Sequence, residues 1–87
     1  MTDQEIIQLY RQRSEEALKQ TQDVYGRYLF SIAQSILPDG EDSRECVNDA
    51  LLRAWDSIPP AEPECLQTFL GKITRNLAID RYRMLSR

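Results

Sequence analysis

Apolar residues recur at spacings of three and four along most of the chain, the period expected when one side of an α-helix is buried. The clearest stretch runs from residue 24 to residue 37, and its apolar positions are Val24, Tyr25, Tyr28, Leu29, Ile32, Ala33, Ile36 and Leu37. These spacings predict a helix with one face in a core.

A shorter helix is predicted upstream, beginning near residue 3. Thr2 and Glu5 have the capping-box spacing, in which each side chain satisfies a backbone donor at the start of a helix. Ile6, Ile7 and Tyr10 give this helix an apolar side. The pattern leaves open whether residues 11 to 22 continue the same helix or interrupt it.

A third helix is predicted over residues 42 to 57. Pro38 and Gly40 end the preceding segment, and Asp42 with Glu45 repeats the capping-box spacing. Its apolar stripe consists of Val47, Ala50, Leu51, Ala54, Trp55 and Ile58. The residues predicted to point away from the core are largely acidic or polar: Glu45, Asn48, Asp49, Leu52, Arg53 and Asp56.

Three prolines within residues 59 to 63 predict an irregular loop, because proline removes a backbone donor and restricts the residue before it. A last helix is predicted from near Cys65. Its apolar side carries Leu66, Phe69, Leu70, Ile73, Leu77 and Ala78, and its solvent side carries Lys72, Arg75, Asn76, Arg81 and Arg83.

Composition agrees with an all-α fold, a compact bundle of three to four helices. The 87 residues suit a single domain, and 41% apolar and 29% charged residues with only three glycines favour helices over sheets. The chain has no histidine, glycine-rich phosphate loop or nucleophile elbow, so we expect no enzyme activity, no metal and no cofactor. Cys46 and Cys65 are expected to be reduced, small core residues.

Charge is distributed unevenly. Residues 1 to 64 hold 6 Lys+Arg and 13 Asp+Glu (net −7), whereas residues 65 to 87 hold 5 and 1 (net +4), which together give the overall −3. The basic end has the composition of a nucleic-acid contact, although cations near a helix C-terminus also stabilise its dipole. The acidic N-terminus lacks the apolar run of a signal peptide or membrane anchor, so we expect a cytoplasmic protein.

Two segments resemble the extracytoplasmic-function branch of the sigma-70 family, specifically region 2 of bacterial RNA polymerase sigma factors. Residues 42 to 55, which end in Leu-Arg-Ala-Trp, are similar to the family's acidic helix. Residues 69 to 83 are similar to its promoter-reading helix, and residues 23 to 29 to its first conserved helix. The resemblance therefore covers most of the chain and implies a sigma region 2-like bundle.

The resemblance implies two partners. The acidic helix would bind the clamp coiled coil in the largest subunit of the RNA polymerase core, through Glu45, Asn48, Asp49 and Leu52. The last helix and the preceding loop would bind the non-template strand of the minus-ten promoter element, with Asn76 facing bases. The phosphates of that strand would be contacted by four basic residues: Lys72, Arg75, Arg81 and Arg83. The loop of residues 58 to 64 would hold a base flipped out of the strand. An anti-sigma factor is a further expected partner.

Some residues depart from the family pattern. Phe69 stands where tryptophan is common, Gly71 where a larger residue is usual, and Asn48-Asp49 where Gln-Glu is usual. Relatives of this branch also carry a second helical domain, so we expect residues 1 to 87 to be a single region 2 domain within a fragment that ends at Arg87. The alternative is a sigma-like helical module that binds polymerase or an anti-sigma protein without reading DNA.

Overall fold

A computed structural model describes residues 1–86, and Arg87, which belongs to the predicted basic end, lies outside the described residues. The described chain forms four helices. They are α1 (Asp3–Arg11), α2 (Glu16–Ile36), α3 (Gly40–Ser57) and α4 (Leu66–Leu85). The all-α prediction is confirmed.

The start of α1 follows the predicted capping box. The Thr2 hydroxyl accepts a hydrogen bond from the Glu5 amide, and the Glu5 carboxylate accepts one from the Thr2 amide. The open question about residues 11 to 22 is resolved as an interruption, since α1 ends at Arg11 and α2 begins at Glu16. Arg13 between them has a φ of 57°, a left-handed conformation that turns the chain.

The predicted cap of α3 is wrong in position. The Asp39 side chain accepts a hydrogen bond from the Glu41 amide, and the helix begins at Gly40, two residues before the predicted start. Asp39 is an equally good N-cap residue, and it follows directly on the proline that ends the preceding segment. Asp42 therefore lies inside the first turn, where its carboxylate is available to another helix.

Helices α2, α3 and α4 each pack against the other two, and α1 packs mainly along α2. The apolar stripes predicted for α3 and α4 meet α2 in the core. Side chains with essentially no exposed surface include Ile6, Tyr10, Leu29, Leu37, Ile58, Leu66 and Leu70. This arrangement leaves the outer faces of α3 and α4 exposed and side by side.

Three predictions about burial are wrong. Val24 and Tyr28, placed on the apolar stripe of α2, are 49% and 38% exposed, because that stripe is wider than the surface covered by α3 and α4. Cys65 is exposed at the start of α4, whereas Cys46 is buried as predicted. Both thiols are free.

Candidate functional site

The outer face of α3 presents the residues predicted to bind polymerase. Positions three, four and seven apart share one side of a helix, so these residues form a continuous strip. The strip is exposed along its length, and Leu52 keeps 56% of its surface accessible. We call it the acidic strip: Glu45, Asn48, Asp49 and Leu52.

Four of the five residues predicted to bind DNA are exposed on α4: Lys72, Arg75, Asn76 and Arg83. Lys72, Arg75 and Asn76 lie within about one helical turn of each other and share one side of α4. Within residues 1–86, no carboxylate comes within 4.0 Å of Lys72, Arg75 or Arg83. Their charges are therefore available to an external anion.

Arg81 has a different environment from the other cations of α4. Its guanidinium bonds to Glu45, lies 3.3 Å from the Asp42 carboxylate and reaches Asp49 at 4.0 Å. Its partial burial disfavours the charged form, but Glu45 and Asp42 outweigh that effect, and the pKa of Arg81 is raised. Arg81 thus joins α4 to the acidic strip, and its charge is already compensated within the chain.

The sequence predicts a capping role for Asp42 and gives no indication of its contact with Arg81. The capping-box spacing with Glu45 concealed this contact, because a carboxylate at a helix start has a ready local explanation. Asp42 and Arg81 are far apart in the sequence, and their contact depends on how α3 and α4 pack. No local sequence pattern therefore predicts it.

Two grooves flank the start of α4. One, of about 360 Å³, lies where the proline-containing loop joins the helix, and its walls are Pro63, Glu64, Cys65, Thr68, Phe69 and Lys72. The other, of about 340 Å³, lies between α2 and α4. Both are bounded by Thr68 and Lys72, so they adjoin each other on the side of α4 that carries Lys72 and Arg75.

Phe69 is partly buried and packs against the core, in keeping with its register with Leu66, Leu70 and Ile73. One side of it also borders the groove beside the loop. The Cys65 thiol at the same groove accepts a hydrogen bond from the Thr68 hydroxyl, which lowers the pKa of Cys65.

Within the described residues, no three His, Cys, Asp or Glu side chains come close enough together to hold a metal ion. Nor is any helix of residues 1–86 both long and apolar enough to cross a lipid bilayer.

A family model described as Sigma-70 region 2 matches residues 23–87. The chain belongs to the sigma-70 region 2 family. The match takes in most of α2 and all of α3 and α4, while α1 lies outside it. No curated protein and no solved structure gives a significant match.

Membership of the sigma-70 region 2 family gives the chain a general role. It is a sigma factor domain of transcription initiation, a family whose members bind RNA polymerase and take part in promoter recognition and melting, not in catalysis of a reaction. The acidic strip and the exposed cations of α4 both fall within the matched residues.

Proposed function

We propose that this chain is region 2 of an extracytoplasmic-function sigma factor that acts in the cytoplasm. In this proposal the acidic strip binds the clamp coiled coil of the polymerase core. The proline-containing loop and α4 bind the non-template strand of the minus-ten element as the duplex opens.

The observation that carries the proposal is the pairing of two exposed surfaces of opposite charge on adjacent helices. Glu45 and Asp49 on α3 offer carboxylates to a basic partner, because these two residues and Asp42 outnumber Arg81, the one cation that they contact within residues 1–86. Complementary charge gives an interface its register and its association rate. Lys72 and Arg75 on α4 are free to neutralise phosphates. One small domain can therefore hold the enzyme and the DNA at the same time.

The DNA contact is proposed to trap an unpaired strand. Asn76 carries an amide that can both donate to and accept from a base edge. Extraction of a base from the stack costs a few kcal/mol, and contacts in the groove beside the loop would offset that cost. Such trapping requires no nucleotide hydrolysis.

The polymerase half is tested by removal of charge from the acidic strip. The variant Glu45→Gln with Asp49→Asn is expected to lower pull-down of the polymerase core at least fivefold. Because both residues also contact Arg81, the pair is introduced in the wild-type chain and in an Arg81→Gln background, and the loss should be similar in both. Removal of two negative charges from α2, by Glu16→Gln with Asp23→Asn, is the matched control. Equal pull-down by all variants would contradict the assignment.

The DNA half is tested with single-stranded minus-ten oligonucleotides. Arg75→Ala with Asn76→Ala is expected to weaken their binding about tenfold or more, since each residue contributes a phosphate or base contact. Polymerase pull-down by the same variant should not change. DNA binding that equals that of the wild type would support the second candidate.

The second candidate is a sigma-like module that binds polymerase or an anti-sigma factor without reading DNA. The compensated charge of Arg81 favours it, because one of the five predicted DNA contacts is engaged by Asp42 and Glu45. The net charge of −3 points the same way. The two candidates predict opposite results for the oligonucleotide experiment.

A further inference from the structure

The proline-containing loop, residues 58 to 64, has few bonds of its own that fix its conformation. Three of its seven residues are prolines, which have no amide donor. Two hydrogen bonds join its backbone to α3, and they are donated by the amides of Ile58 and Ala61. A loop that forms one wall of a base-binding groove needs support from other parts of the chain as well.

That support comes from the end of α1 and from the turn that follows it. The Arg13 guanidinium donates hydrogen bonds of 2.9 Å to the carbonyls of Trp55 and Ile58, where the chain leaves α3 and enters the loop. Further along the loop, Glu62 forms an ion pair of 3.6 Å with Arg11. Within residues 1–86, no other side chain outside α3 forms a hydrogen bond or an ion pair with the loop.

The backbone at Arg13 indicates that these contacts are the reason for an arginine at this position. Its φ of 57° is a left-handed conformation, which glycine adopts without steric cost and which residues with a Cβ adopt rarely. A requirement for the turn alone would favour glycine. The Arg13 guanidinium also lies 3.8 Å from the centre of the Trp55 ring, which keeps it against the end of α3. The unfavourable backbone conformation is therefore explained by what the side chain binds.

We propose that Arg13 is a positioning residue for DNA binding, and that through Ile58 it holds the loop in the conformation that receives a flipped base. A loop that is ordered before binding loses less conformational freedom when the base enters, so its affinity for that base is higher. Arg11 supports the same loop through Glu62, with a smaller effect because that ion pair is exposed. The inference rests on the proposed function and gives a part in it to residues outside the family match.

The test measures how much one base contributes to binding. The 87-residue chain is titrated with single-stranded minus-ten oligonucleotides that are intact or lack one base, and the abasic site is moved along the strand. For the wild type, loss of the base held by the loop should lower affinity about tenfold or more. Both oligonucleotides bind the same folded protein, so the ratio of their affinities does not depend on the folded fraction. A loss of stability alone therefore leaves this ratio unchanged.

Arg13→Ala is expected to reduce the ratio at that position to about threefold or less, because the loop is then ordered only when the base binds. Arg13→Gly removes the same guanidinium but suits the left-handed turn, so it remains a test even where Arg13→Ala fails to fold. Its ratio should be reduced in the same way. Arg27→Ala is the matched control, since it removes one exposed arginine from α2 and should retain the wild-type ratio. Circular dichroism checks that each variant is helical.

The outcomes separate this inference from the proposed function. If the wild type distinguishes intact from abasic DNA and the Arg13 variants show the wild-type ratio, Arg13 does not position the loop, but the proposed function stands. If the wild type binds intact and abasic oligonucleotides equally, or binds none of them, the loop holds no base. The base-binding part of the proposed function and the role of Arg13 then both fail.

Discussion

Tyr10 and Thr21 bury two hydroxyl groups between α1 and α2. Their oxygens are 2.7 Å apart, and the Thr21 hydroxyl also lies 2.8 Å from the Ala17 carbonyl oxygen. Burial raises the pKa of the Tyr10 phenol, partly opposed by the bond to Thr21, so the group is neutral at physiological pH. Both side chains are fully enclosed, which makes loss of either partner measurable.

The two possible deletions in this pair are predicted to differ in cost. Tyr10→Phe should lower the free energy of unfolding by about 1 kcal/mol, because Thr21 still has the Ala17 carbonyl as a partner. Thr21→Val should cost more, about 2 kcal/mol, since it leaves the buried Tyr10 hydroxyl unsatisfied. Urea denaturation followed by circular dichroism measures both values. The opposite ranking would show that Tyr10 finds another acceptor.

The two cysteines are predicted to differ in reactivity with pH. The Thr68 hydroxyl lowers the pKa of exposed Cys65, while burial raises the pKa of Cys46. A lowered pKa increases the thiolate fraction at neutral pH, and the thiolate is the reactive form. In the native protein, iodoacetamide should modify Cys65 first.

Substitution of the hydrogen-bond donor isolates the cause of this difference. Thr68→Val should shift the midpoint of the Cys65 rate–pH profile to higher pH, because the thiolate loses its donor. Cys65→Ser, which leaves only Cys46, gives the background rate. An unchanged midpoint in Thr68→Val would mean that the hydrogen bond does not control the thiol.

At the scale of elements, Arg13 connects the α1–α2 turn to the end of α3. Its guanidinium donates hydrogen bonds of 2.9 Å to the carbonyls of Trp55 and Ile58 and lies 3.8 Å from the centre of the Trp55 ring. Carbonyls at a helix C-terminus lack partners within the helix, and a cation there also interacts favourably with the helix dipole. Arg13 therefore satisfies the end of α3 from another part of the chain.

Arg13→Ala is predicted to destabilise the domain by about 1–2 kcal/mol, through the loss of two charge-assisted hydrogen bonds and a cation–π contact, with the value reduced because the residue is exposed. Trp55 fluorescence during urea unfolding reports the change directly. Arg27→Ala is the control, because this exposed arginine makes no such contact within residues 1–86, and the variant should unfold like the wild type. The same urea midpoint for the wild type, Arg13→Ala and Arg27→Ala would contradict the stabilising role of Arg13.

Over the whole molecule, the structure divides the cations of α4 into free and compensated ones. Each phosphate neutralised on single-stranded DNA contributes about 0.7 to the slope of the logarithm of affinity against the logarithm of salt concentration. Lys72→Ala and Arg75→Ala should each reduce that slope by about 0.7. Arg81→Gln should leave it nearly unchanged, because Asp42 and Glu45 already compensate that charge.

The salt titration also tests the site prediction for Arg81. Arg83→Gln is the matched comparison, since this arginine lies two residues away, is exposed and has no carboxylate within 4.0 Å in the described chain. If Arg81→Gln reduces the slope as much as Arg83→Gln, the contacts with α3 must give way when DNA binds.

Much of the helical architecture could be read from local chemistry. The Thr2–Glu5 capping box, the proline-containing loop and the apolar spacing of α3 and α4 each act within a few residues, so the sequence was sufficient for them. The start of α3 was misjudged because Asp39 and Asp42 are both acceptable caps. The exposure of Val24 and Tyr28 could not be predicted from the apolar pattern, because it depends on how much of the surface of α2 is covered by α3 and α4.

By itself, the sequence determined the fold class, the acidic strip and the presence of a basic last helix, because periodicity and charge are local properties. Only the tertiary structure decided which charges are free. Arg81 and Arg75 look alike in the sequence, yet the packing of α3 against α4 brings three carboxylates to one of them and leaves the other open. The same packing turned Gly71, an isolated departure in the sequence, into the floor of a groove beneath Tyr28.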